Sequence, residues 1–171
     1  KQQVVRCKNS LTQLTDYYNK DNPETEENML ISEFVDDIKD YIVNINPKAP
    51  VKFLVNCPHE TKVASSLSFR HAVINIIENG VKAATKKIEV EFKTTNENPS
   101  QLEISVTDDG PGIPTKVMEN LGEPFISERN ESMGLGIFLA NAAIMRLGGR
   151  IEMFNLKVGG ALTLIKIPIP G

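Results

Sequence analysis

Two asparagines and a lysine interrupt the apolar segment NIIENGVKAA (75–84), at Asn75, Asn79 and Lys82. Residues three or four positions apart share one face of a helix, so these side chains and His71 are predicted to form one polar strip. Amide oxygens are suitable ligands for Mg²⁺, and a lysine ammonium group suits phosphate oxygens. A polar strip is also the usual solvent-facing side of an amphipathic helix, and taken alone this strip favours that interpretation.

A turn-forming segment, DDGPGIP (108–114), offers a second kind of chemistry. Asp108 ends a predicted strand, and Gly110 and Gly112 follow it at alternate positions. Glycine lets the backbone approach a ligand closely, and a buried carboxylate at a strand end can accept a hydrogen bond from an amino group, such as the exocyclic amine of adenine. The same residue types form ordinary β-turns, so a plain turn is the alternative.

The third segment is SMGLGIFLA (132–140), in which Gly134 and Gly136 precede a predicted apolar helix. Free N–H groups at the start of a helix bind phosphate oxygens, and the helix dipole favours the negative charge. An isolated G-x-G is also found in ordinary glycine-rich loops, so this segment gains weight only from the other two.

The elements that must hold these segments are predicted from the spacing of apolar residues. A period of 3.6 residues indicates helices, and alternation of apolar with polar residues indicates strands. Residues 115–133 lack a clear period and are predicted as a mobile loop with a helical turn. Helices that are not interleaved with strands in strict βαβ order favour an α+β fold, with helices on one face of a mixed sheet. The predicted helices are 2–19, 31–45, 66–85 and 135–147, and the predicted strands are 51–57, 87–93, 102–108, 150–155 and 161–169.

Composition excludes several classes of protein. The chain has 171 residues and a formal net charge of −3, with no basic run, so no nucleic-acid partner is expected. No apolar stretch approaches the roughly 18 residues of a membrane helix, so no direct membrane contact is expected of this chain. Two cysteines are too few for a disulfide scaffold, which favours a cytosolic environment. We assign residues 1–20 to a separate helical module, 21–29 to a linker and 30–171 to the main domain.

The order and separation of the three segments are more specific than any one of them. The helix with NIIENGVKAA, the strand ending in DDGPGIP, the segment EPFISER (123–129) and the helix start MGLGIFLA (133–140) resemble the N, G1, F and G2 boxes of the GHKL superfamily. Its members include sensor histidine kinases, DNA gyrase, Hsp90 and MutL, and the resemblance covers residues 30–169. It implies the Bergerat α/β sandwich fold, with ATP and Mg²⁺ as ligands.

The resemblance also implies a role for each polar group. Asn79 would be the Mg²⁺ ligand, Asn75 would assist near the phosphates, and Lys82 would contact a phosphate, so these three form the catalytic set. Asp108 would bind the adenine. The other residues that the resemblance places around the nucleotide are Gly110, Gly112, Ile113, Phe125, Arg129, Ser132, Met133, Gly134, Leu135, Gly136 and Thr163.

The closing lid and the glycine segment show where this chain departs from the superfamily. Phe125 would anchor the lid, and Arg129 stands where members often carry a lysine. Ser132 replaces the usual first glycine of G-x-G-x-G, which we expect to stiffen the end of the lid. Ala161 follows Gly160 where many members have threonine, which would remove one water-bridged contact to adenine.

The residue four positions before the metal-binding asparagine distinguishes the branches of the superfamily. ATPase members have a glutamate there, which activates the attacking water as a general base. Asn75 cannot accept a proton at neutral pH, and Glu78 points about 100° away from Asn79 around the helix. We therefore expect the γ-phosphate to pass to a nucleophile from another domain, as in a histidine kinase. A GHKL ATPase and a nucleotide-binding module without transfer activity are the alternatives.

The first segment, QQVVRCKNSLTQLTDYY (2–18), is similar to the second helix of the dimerisation and phosphotransfer hairpin of RegB/PrrB-type redox-responding sensor kinases. This resemblance implies a phosphoacceptor histidine upstream of Lys1, since neither His59 nor His71 lies in an H-box. It also implies a homodimer, a cognate response regulator as partner, and a cytoplasmic portion of an inner-membrane-anchored bacterial sensor kinase. Cys7 stands where such kinases carry a redox-responsive cysteine, and an inert helical cysteine is the alternative.

Overall fold

The computed structural model describes residues 27–95, 100–121 and 133–170. The predicted helix 2–19 and the segment EPFISER lie outside these ranges. In chain order the described elements are β1 (Asn28–Leu30), α1 (Ile31–Ile45), β2 (Val51–Asn56), β3 (Lys62–Ala64), α2 (Leu67–Ala83), β4 (Ile88–Thr94), β5 (Gln101–Asp108), α3 (Thr115–Glu119), α4 (Met133–Arg146), β6 (Arg150–Asn155) and β7 (Ala161–Pro168).

The larger of two sheets has the strand order β2-β4-β5-β7-β6. β2 runs parallel to β4, and the other neighbouring pairs are antiparallel, so the sheet is mixed, as predicted. β5 lies at its centre, and its last residue, Asp108, pairs with Ile88 on one side and with Ala161 on the other. The strand end that carries the predicted adenine-binding carboxylate is therefore held between two strands.

Helices cover one face of this sheet. In β5 the alternate residues Leu102, Ile104 and Val106 are buried, and α1, α2 and α4 contribute their buried side chains to the same core. The opposite face carries ion pairs between neighbouring strands, such as Lys52 with Glu89 at 3.1 Å between β2 and β4. The predicted α+β architecture, with helices on one face of a mixed sheet, is confirmed.

Helix α1 has the predicted bounds and an amphipathic pattern. It ends just before Asn46 and Pro47, as the sequence indicates. The ring of Phe34 stacks on that of Phe69 in α2, with centroids 5.2 Å apart, which joins the two helices. The buried side of α1 consists of Ile31, Phe34, Val35, Ile38 and Ile42.

Helix α2 lies directly on the sheet. Its cap is Ser66, whose hydroxyl oxygen accepts the N–H of Phe69 at 3.1 Å. Near its other end, a Cβ added to Gly80 would lie 2.6 Å from Cδ1 of Ile88 and 3.0 Å from Cγ1 of Val106. The missing side chain of Gly80 lets the helix approach β4 and β5 closely, which brings its last turns next to the sheet.

A small antiparallel sheet of β1 and β3 was missed by the sequence analysis. Strands of three residues are too short for alternation to be recognised. β1 begins inside the segment 21–29 that we assigned to a linker, where Asn28 pairs with Ala64 and Met29 pairs with Val63. This pairing ties the end of that segment to the main domain.

Candidate functional site

The polar strip predicted on NIIENGVKAA is present on α2. Asn75 and Asn79 are half-buried and Lys82 is exposed, whereas Ile76 and Ile77 are buried. Within the described part of the chain, the side chains of these two asparagines and of Lys82 have no hydrogen-bond or ion-pair partner. The last turns of α2 therefore present amide oxygens and an ammonium group that the described residues leave unused.

The carboxylate of Asp108 is buried, with only 8 % of the residue exposed. Its Oδ1 accepts the N–H of Gly110 at 2.8 Å. Burial raises the pKa of Asp108; the N–H groups of Gly110 and Ala161 lower it in part, and the nearby charge of Asp109 raises it further. A carboxylate has several acceptor positions, so Asp108 can accept a further hydrogen bond from a ligand in addition to those from the backbone.

Thr163 is a second buried polar residue near the end of β5. It lies on β7, is 9 % exposed, and pairs with Val106 of β5. Asp108 pairs with Ala161, two residues away from Thr163 on the same strand, so the two polar side chains point to the same, helical face of the sheet. The structure thus brings together Asp108, which the resemblance assigned to adenine, and Thr163, which it placed around the nucleotide.

The two glycines of the turn after β5 are surrounded by the protein itself. A Cβ on Gly110 would lie 2.3 Å from the carbonyl oxygen of Ala83, the last residue of α2. Gly112 has a φ of +90°, and a Cβ there would lie 2.7 Å from Oδ1 of Asn155. We expected these glycines to make room for a ligand; the structure shows that the packing of the turn requires both of them.

Asn155, at the end of β6, was missed by the sequence analysis. Its Oδ1 accepts the N–H of Ile113 at 2.7 Å, and its Nδ2 donates to the carbonyl oxygen of the same residue at 3.0 Å. These two bonds fasten the far side of the turn to β6. An asparagine before the turn segment LKVGG (156–160) reads as a turn residue, so the sequence carried no separate signal for this contact.

Asp109 was also missed, although it stands between two predicted site residues. Its carboxylate accepts the backbone N–H groups of Thr85, Lys86 and Lys87 at 2.8 to 3.2 Å. Chiefly through the N–H group of Lys86, these bonds lower the pKa of Asp109. The near side of the turn is thereby fastened to the segment that leaves α2.

Gly160, the residue directly before β7, packs against the same strand end. Its φ is +93°, and a Cβ there would lie 2.0 Å from the carbonyl oxygen of Asp108. The next residue, Ala161, has no hydroxyl group for the bridged contact that we expected to be missing, but its N–H group helps to lower the pKa of the Asp108 carboxyl. The Gly160-Ala161 pair thus supports Asp108 through its backbone.

The G-x-G segment lies slightly differently from our prediction. α4 begins at Met133, two residues before the predicted start, so Gly134 and Gly136 lie inside its first turn. The first four N–H groups of a helix have no partner within the helix, so the N–H groups of Gly134 and Gly136 are still suited to bind an anion. Apart from its chain neighbours and the backbone of its own helix, no described atom lies within 4 Å of a Cβ added to Gly136.

Several predicted residues are described in part or not at all. Phe125, Arg129 and Ser132 lie outside the described residues. Of Met133, Gly134 and Leu135 the structure gives only the place at the start of α4.

The histidines and the described cysteine show no site of their own. His59 lies in an exposed turn and His71 is exposed on α2. Cys57 is half-buried, and burial raises the pKa of its thiol, which agrees with a structural role. Among the residues described, no group of three or more His, Cys, Asp or Glu side chains could hold a metal ion. No helix in the described ranges is long and apolar enough to cross a membrane.

The end of α2 and the end of β5 therefore meet at one joint. Gly110 touches Ala83, and Asp109 binds the segment that follows it. The α2 side of this joint carries Asn79 one turn earlier, and the β5 side carries Asp108. Oxygen ligands and a cation on one side, and a buried acceptor on the other, suit a ligand with phosphates at one end and an amino group at the other.

Comparison with known proteins yields a family match. A family model described as Histidine kinase-, DNA gyrase B-, and HSP90-like ATPase matches residues 64–171. Sensor protein KdpD of Escherichia coli is 32 % identical over 104 residues, which are 58 % of this chain and 12 % of that protein. Sensor histidine kinase RegB of Cereibacter sphaeroides is 29 % identical over 96 residues, which are 50 % of this chain and 20 % of that protein. The matches therefore span a fifth or less of these relatives.

A solved structure supports the fold. The histidine kinase AdeS of Acinetobacter baumannii matches with a TM-score of 0.73 at 19 % identity, over 99 % of this chain and 80 % of that one. A likeness at this identity bears on the architecture of the chain and leaves its chemistry to the site residues.

Proposed function

Because this chain belongs to the family of histidine kinase-, DNA gyrase B- and HSP90-like ATPases, we propose that it binds ATP with Mg²⁺ and transfers the γ-phosphate to a histidine on a separate phosphotransfer helix. The observation that carries this proposal is the joint between α2 and β5. It connects the end of α2, the helix that carries the unused polar strip, to the end of β5, the strand that carries the buried carboxylate, so a single ligand can reach both elements.

At the proposed adenine end, the residues of the chain favour a base that carries an amino group as a hydrogen-bond donor. Asp108 is buried, which raises its pKa, and it accepts N–H groups from the turn, so its remaining acceptor capacity favours a ligand that donates a hydrogen bond. The exocyclic amine of adenine is such a donor. Thr163, buried on the same face, adds a hydroxyl group next to this position. Guanine presents a carbonyl oxygen in place of that amine and is therefore disfavoured.

At the phosphate end, the residues of α2 fit a magnesium–phosphate group. Asn79 offers an amide oxygen as metal ligand, Asn75 offers a second polar group one turn earlier, and Lys82 offers a cation for phosphate oxygens. Bound Mg²⁺ supplies neutralisation of the charge that develops on the phosphates. The N–H groups at the start of α4, which include those of Gly134 and Gly136, provide further donors.

The nature of residue 75 favours transfer to a protein histidine over hydrolysis. An amide at this position cannot remove a proton from water, so the strip lacks a general base where ATPase members carry one. An imidazole nitrogen needs no such base because it attacks with its own lone pair. Asn75 then orients polar groups near the phosphates without activating water.

The proposed kinase is a part of a larger assembly. In this proposal, residues 1–20 are the second helix of a dimerisation and phosphotransfer hairpin, the intact protein is a membrane-anchored homodimer with this part in the cytoplasm, and a response regulator receives the phosphoryl group. The names of the relatives KdpD and RegB, a sensor protein and a sensor histidine kinase, support this setting.

The proposal is tested by a transfer assay in two parts. The chain is incubated with Mg²⁺ and γ-labelled ATP, first alone and then with a separately produced phosphotransfer hairpin that carries the acceptor histidine. We expect acid-labile, base-stable label on the hairpin, little release of free phosphate without it, and none of this label when the acceptor histidine is replaced by glutamine.

Two results contradict the proposal and point to its alternatives. Sustained phosphate release by the chain alone would indicate an ATPase. Saturable ATP binding without any label on the hairpin would indicate a nucleotide-binding module. The matched control is Glu89→Gln, on the sheet face away from the helices, which we expect to transfer phosphate at the same rate as the wild type.

A further inference from the structure

A single carboxylate binds the segment that leaves α2. Oδ1 of Asp109 accepts the N–H groups of Thr85, Lys86 and Lys87 at 2.8, 3.0 and 3.2 Å, and Oδ2 lies 3.1 Å from the nitrogen of Lys86. Successive N–H groups that converge on one anion form a concave backbone site for negative charge. Here the anion belongs to the chain itself, so it fixes the course of the backbone between α2 and β4.

The same carboxylate is attached to the end of β5. Asp109 directly follows Asp108, the last residue of that strand, and precedes Gly110, whose missing Cβ allows contact with the carbonyl oxygen of Ala83. Two independent contacts therefore hold the exit of α2 against the end of β5: one is a close backbone approach, and the other is the three-fold hydrogen bond of Asp109.

This joint lies between the two groups that the proposed function places at opposite ends of the nucleotide. Asn79 is one turn before the end of α2, and Asp108 is the neighbour of Asp109. A ligand that is gripped at both ends binds well only if the two groups are the right distance apart. In catalysis, a misplacement of about 1 Å can reduce a rate by about a hundredfold, and we expect the same geometric requirement to affect a ligand held at two points.

We propose that Asp109 is a positioning residue that sets the separation between Asn79 on α2 and Asp108 on β5. The inference rests on the proposed function and deepens it. Asp109 acts through the backbone that it binds, and it has no direct role in contacting adenine, phosphate or metal. Its carboxylate is ionised at neutral pH, because the N–H groups of Lys86, Lys87 and Thr85 lower its pKa.

The test separates the two ends of the site with three probes. Adenosine reports the adenine end, tripolyphosphate with Mg²⁺ reports the phosphate end, and ATP with Mg²⁺ requires both at the correct separation. Dissociation constants are measured by NMR titration for the wild type and for Asp109→Ala. We expect the constants for adenosine and tripolyphosphate to stay within about twofold, and the affinity for ATP with Mg²⁺ to fall by roughly tenfold or more.

Conservative variants distinguish positioning from stability. Asp109→Asn keeps an acceptor oxygen in place, and we expect it to restore most of the affinity for ATP. Asp109→Glu keeps the charge but moves the oxygens by one methylene, and we expect it to bind ATP more weakly than Asp109→Asn does. If Asp109→Ala fails to fold, the variants Asp109→Asn and Asp109→Glu still test the proposal. Wild-type ATP affinity in both variants would show that Asp109 has only a structural role.

The failure of this inference can be told apart from the failure of the proposed function. A wild-type chain that does not bind ATP contradicts both. A wild-type chain that binds ATP, with a folded Asp109→Ala variant that binds it equally well, contradicts only the positioning role. A parallel loss of adenosine and ATP affinity also overturns it, because the defect would then lie within the adenine end. Glu89→Gln, which removes an exposed carboxylate from the far face of the sheet, serves as the matched control.

Discussion

The glycines at the two ends of the site differ in what surrounds them. After β5, an added Cβ would lie 2.3 Å from the carbonyl oxygen of Ala83 at Gly110 and 2.7 Å from Oδ1 of Asn155 at Gly112. In the first turn of α4, no described atom outside the backbone of this helix and the chain neighbours lies within 4 Å of a Cβ at Gly136. The protein itself requires the first two glycines, whereas the described residues place no such demand on Gly136.

The same contrast holds for the polar groups. Asp108 accepts N–H groups from its own turn, and Asp109 and Asn155 fasten that turn on both sides. Asn75 and Asn79 have no side-chain partner within the described ranges. The proposed adenine end is therefore held in place by hydrogen bonds within the fold, whereas the polar side chains of α2 remain available for a ligand.

At the proposed adenine end, we expect the largest loss of stability from a substitution of Gly160. The variant Gly160→Ala combines a φ of +93° with a Cβ 2.0 Å from the carbonyl oxygen of Asp108, so we expect it to lose roughly 3 kcal/mol or more of unfolding free energy. Gly159→Ala is the matched control, because Gly159 has a φ of +92° but no described atom within 4 Å of its Cβ, and we expect a loss of about 1 kcal/mol. Urea denaturation measures both, and equal losses would show that the close approach to Asp108 is unimportant.

A second pair of variants compares the two ends directly. Gly110→Ala should lower the unfolding free energy by about 2–3 kcal/mol, because the backbone at Ala83 cannot move aside easily. Gly136→Ala should leave it unchanged or raise it by up to about 1 kcal/mol, because alanine is the better helix former. Thermal unfolding in the absence of nucleotide provides the measurement. A destabilised Gly136→Ala would mean that the protein crowds this position too.

Loss of the hydrogen bonds between β6 and the turn after β5 should have a smaller effect on stability. Asn155→Ala removes two hydrogen bonds to the backbone of Ile113, and we expect it to lower the unfolding free energy by about 1–2 kcal/mol. ATP affinity should fall less than in Asp109→Ala, since Asn155 does not touch the segment that leaves α2. Greater loss of ATP affinity in Asn155→Ala would place the critical fastening on the β6 side.

The smallest expected effect is a difference in pH dependence between two adjacent carboxylates. Burial raises the pKa of Asp108 above its unfolded value, so its ionised form costs stability, and this cost disappears as the pH falls through the folded-state pKa. Hydrogen bonds from N–H groups lower the pKa of Asp109. Its carboxylate therefore stabilises the fold at a pH above the unfolded-state pKa of about 3.9, and this stabilisation is lost as the pH falls through the folded-state pKa.

Unfolding measured between neutral and acid pH checks both signs. At neutral pH, Asp108→Asn should be at least as stable as the wild type, and Asp109→Asn should be less stable. Both differences should shrink in acid, where the wild-type carboxyl groups are protonated. A stability loss in Asp108→Asn that grows toward neutral pH would contradict the account of its burial.

The sequence predicted the large elements because their patterns are local. The bounds 31–45 of α1 follow from apolar spacing and a following proline, and the alternation in β4 and β5 identified the central hairpin. The three-residue strands β1 and β3 were missed, because their pairing joins residues more than thirty positions apart and leaves no repeat to recognise. The start of α4 was predicted two residues late because Gly134 reads as a loop residue.

For the candidate site, the sequence identified the polar side chains but not the hydrogen bonds that hold the turn after β5 in place. The polar strip on α2 and the buried Asp108 follow from spacing and strand position. Asp109 and Asn155 were missed because they bind backbone groups 22–24 and 42 positions away, and no local pattern encodes such a partner. The sequence does not distinguish a glycine that the packing of the fold requires from one that leaves room for a ligand, because that distinction depends on the neighbouring atoms in space.

The measurement that tests the central claim most directly is a calorimetric titration with a non-hydrolysable ATP analogue, with and without Mg²⁺, on the wild type, Asp108→Asn and Asn79→Ala. We predict saturable binding by the wild type that tightens with Mg²⁺, a loss of affinity in Asp108→Asn under both conditions, and in Asn79→Ala a loss confined to the Mg²⁺-dependent part. Equal losses in both variants, or no saturable heat from the wild type, would contradict the claim that these two side chains hold opposite ends of one nucleotide.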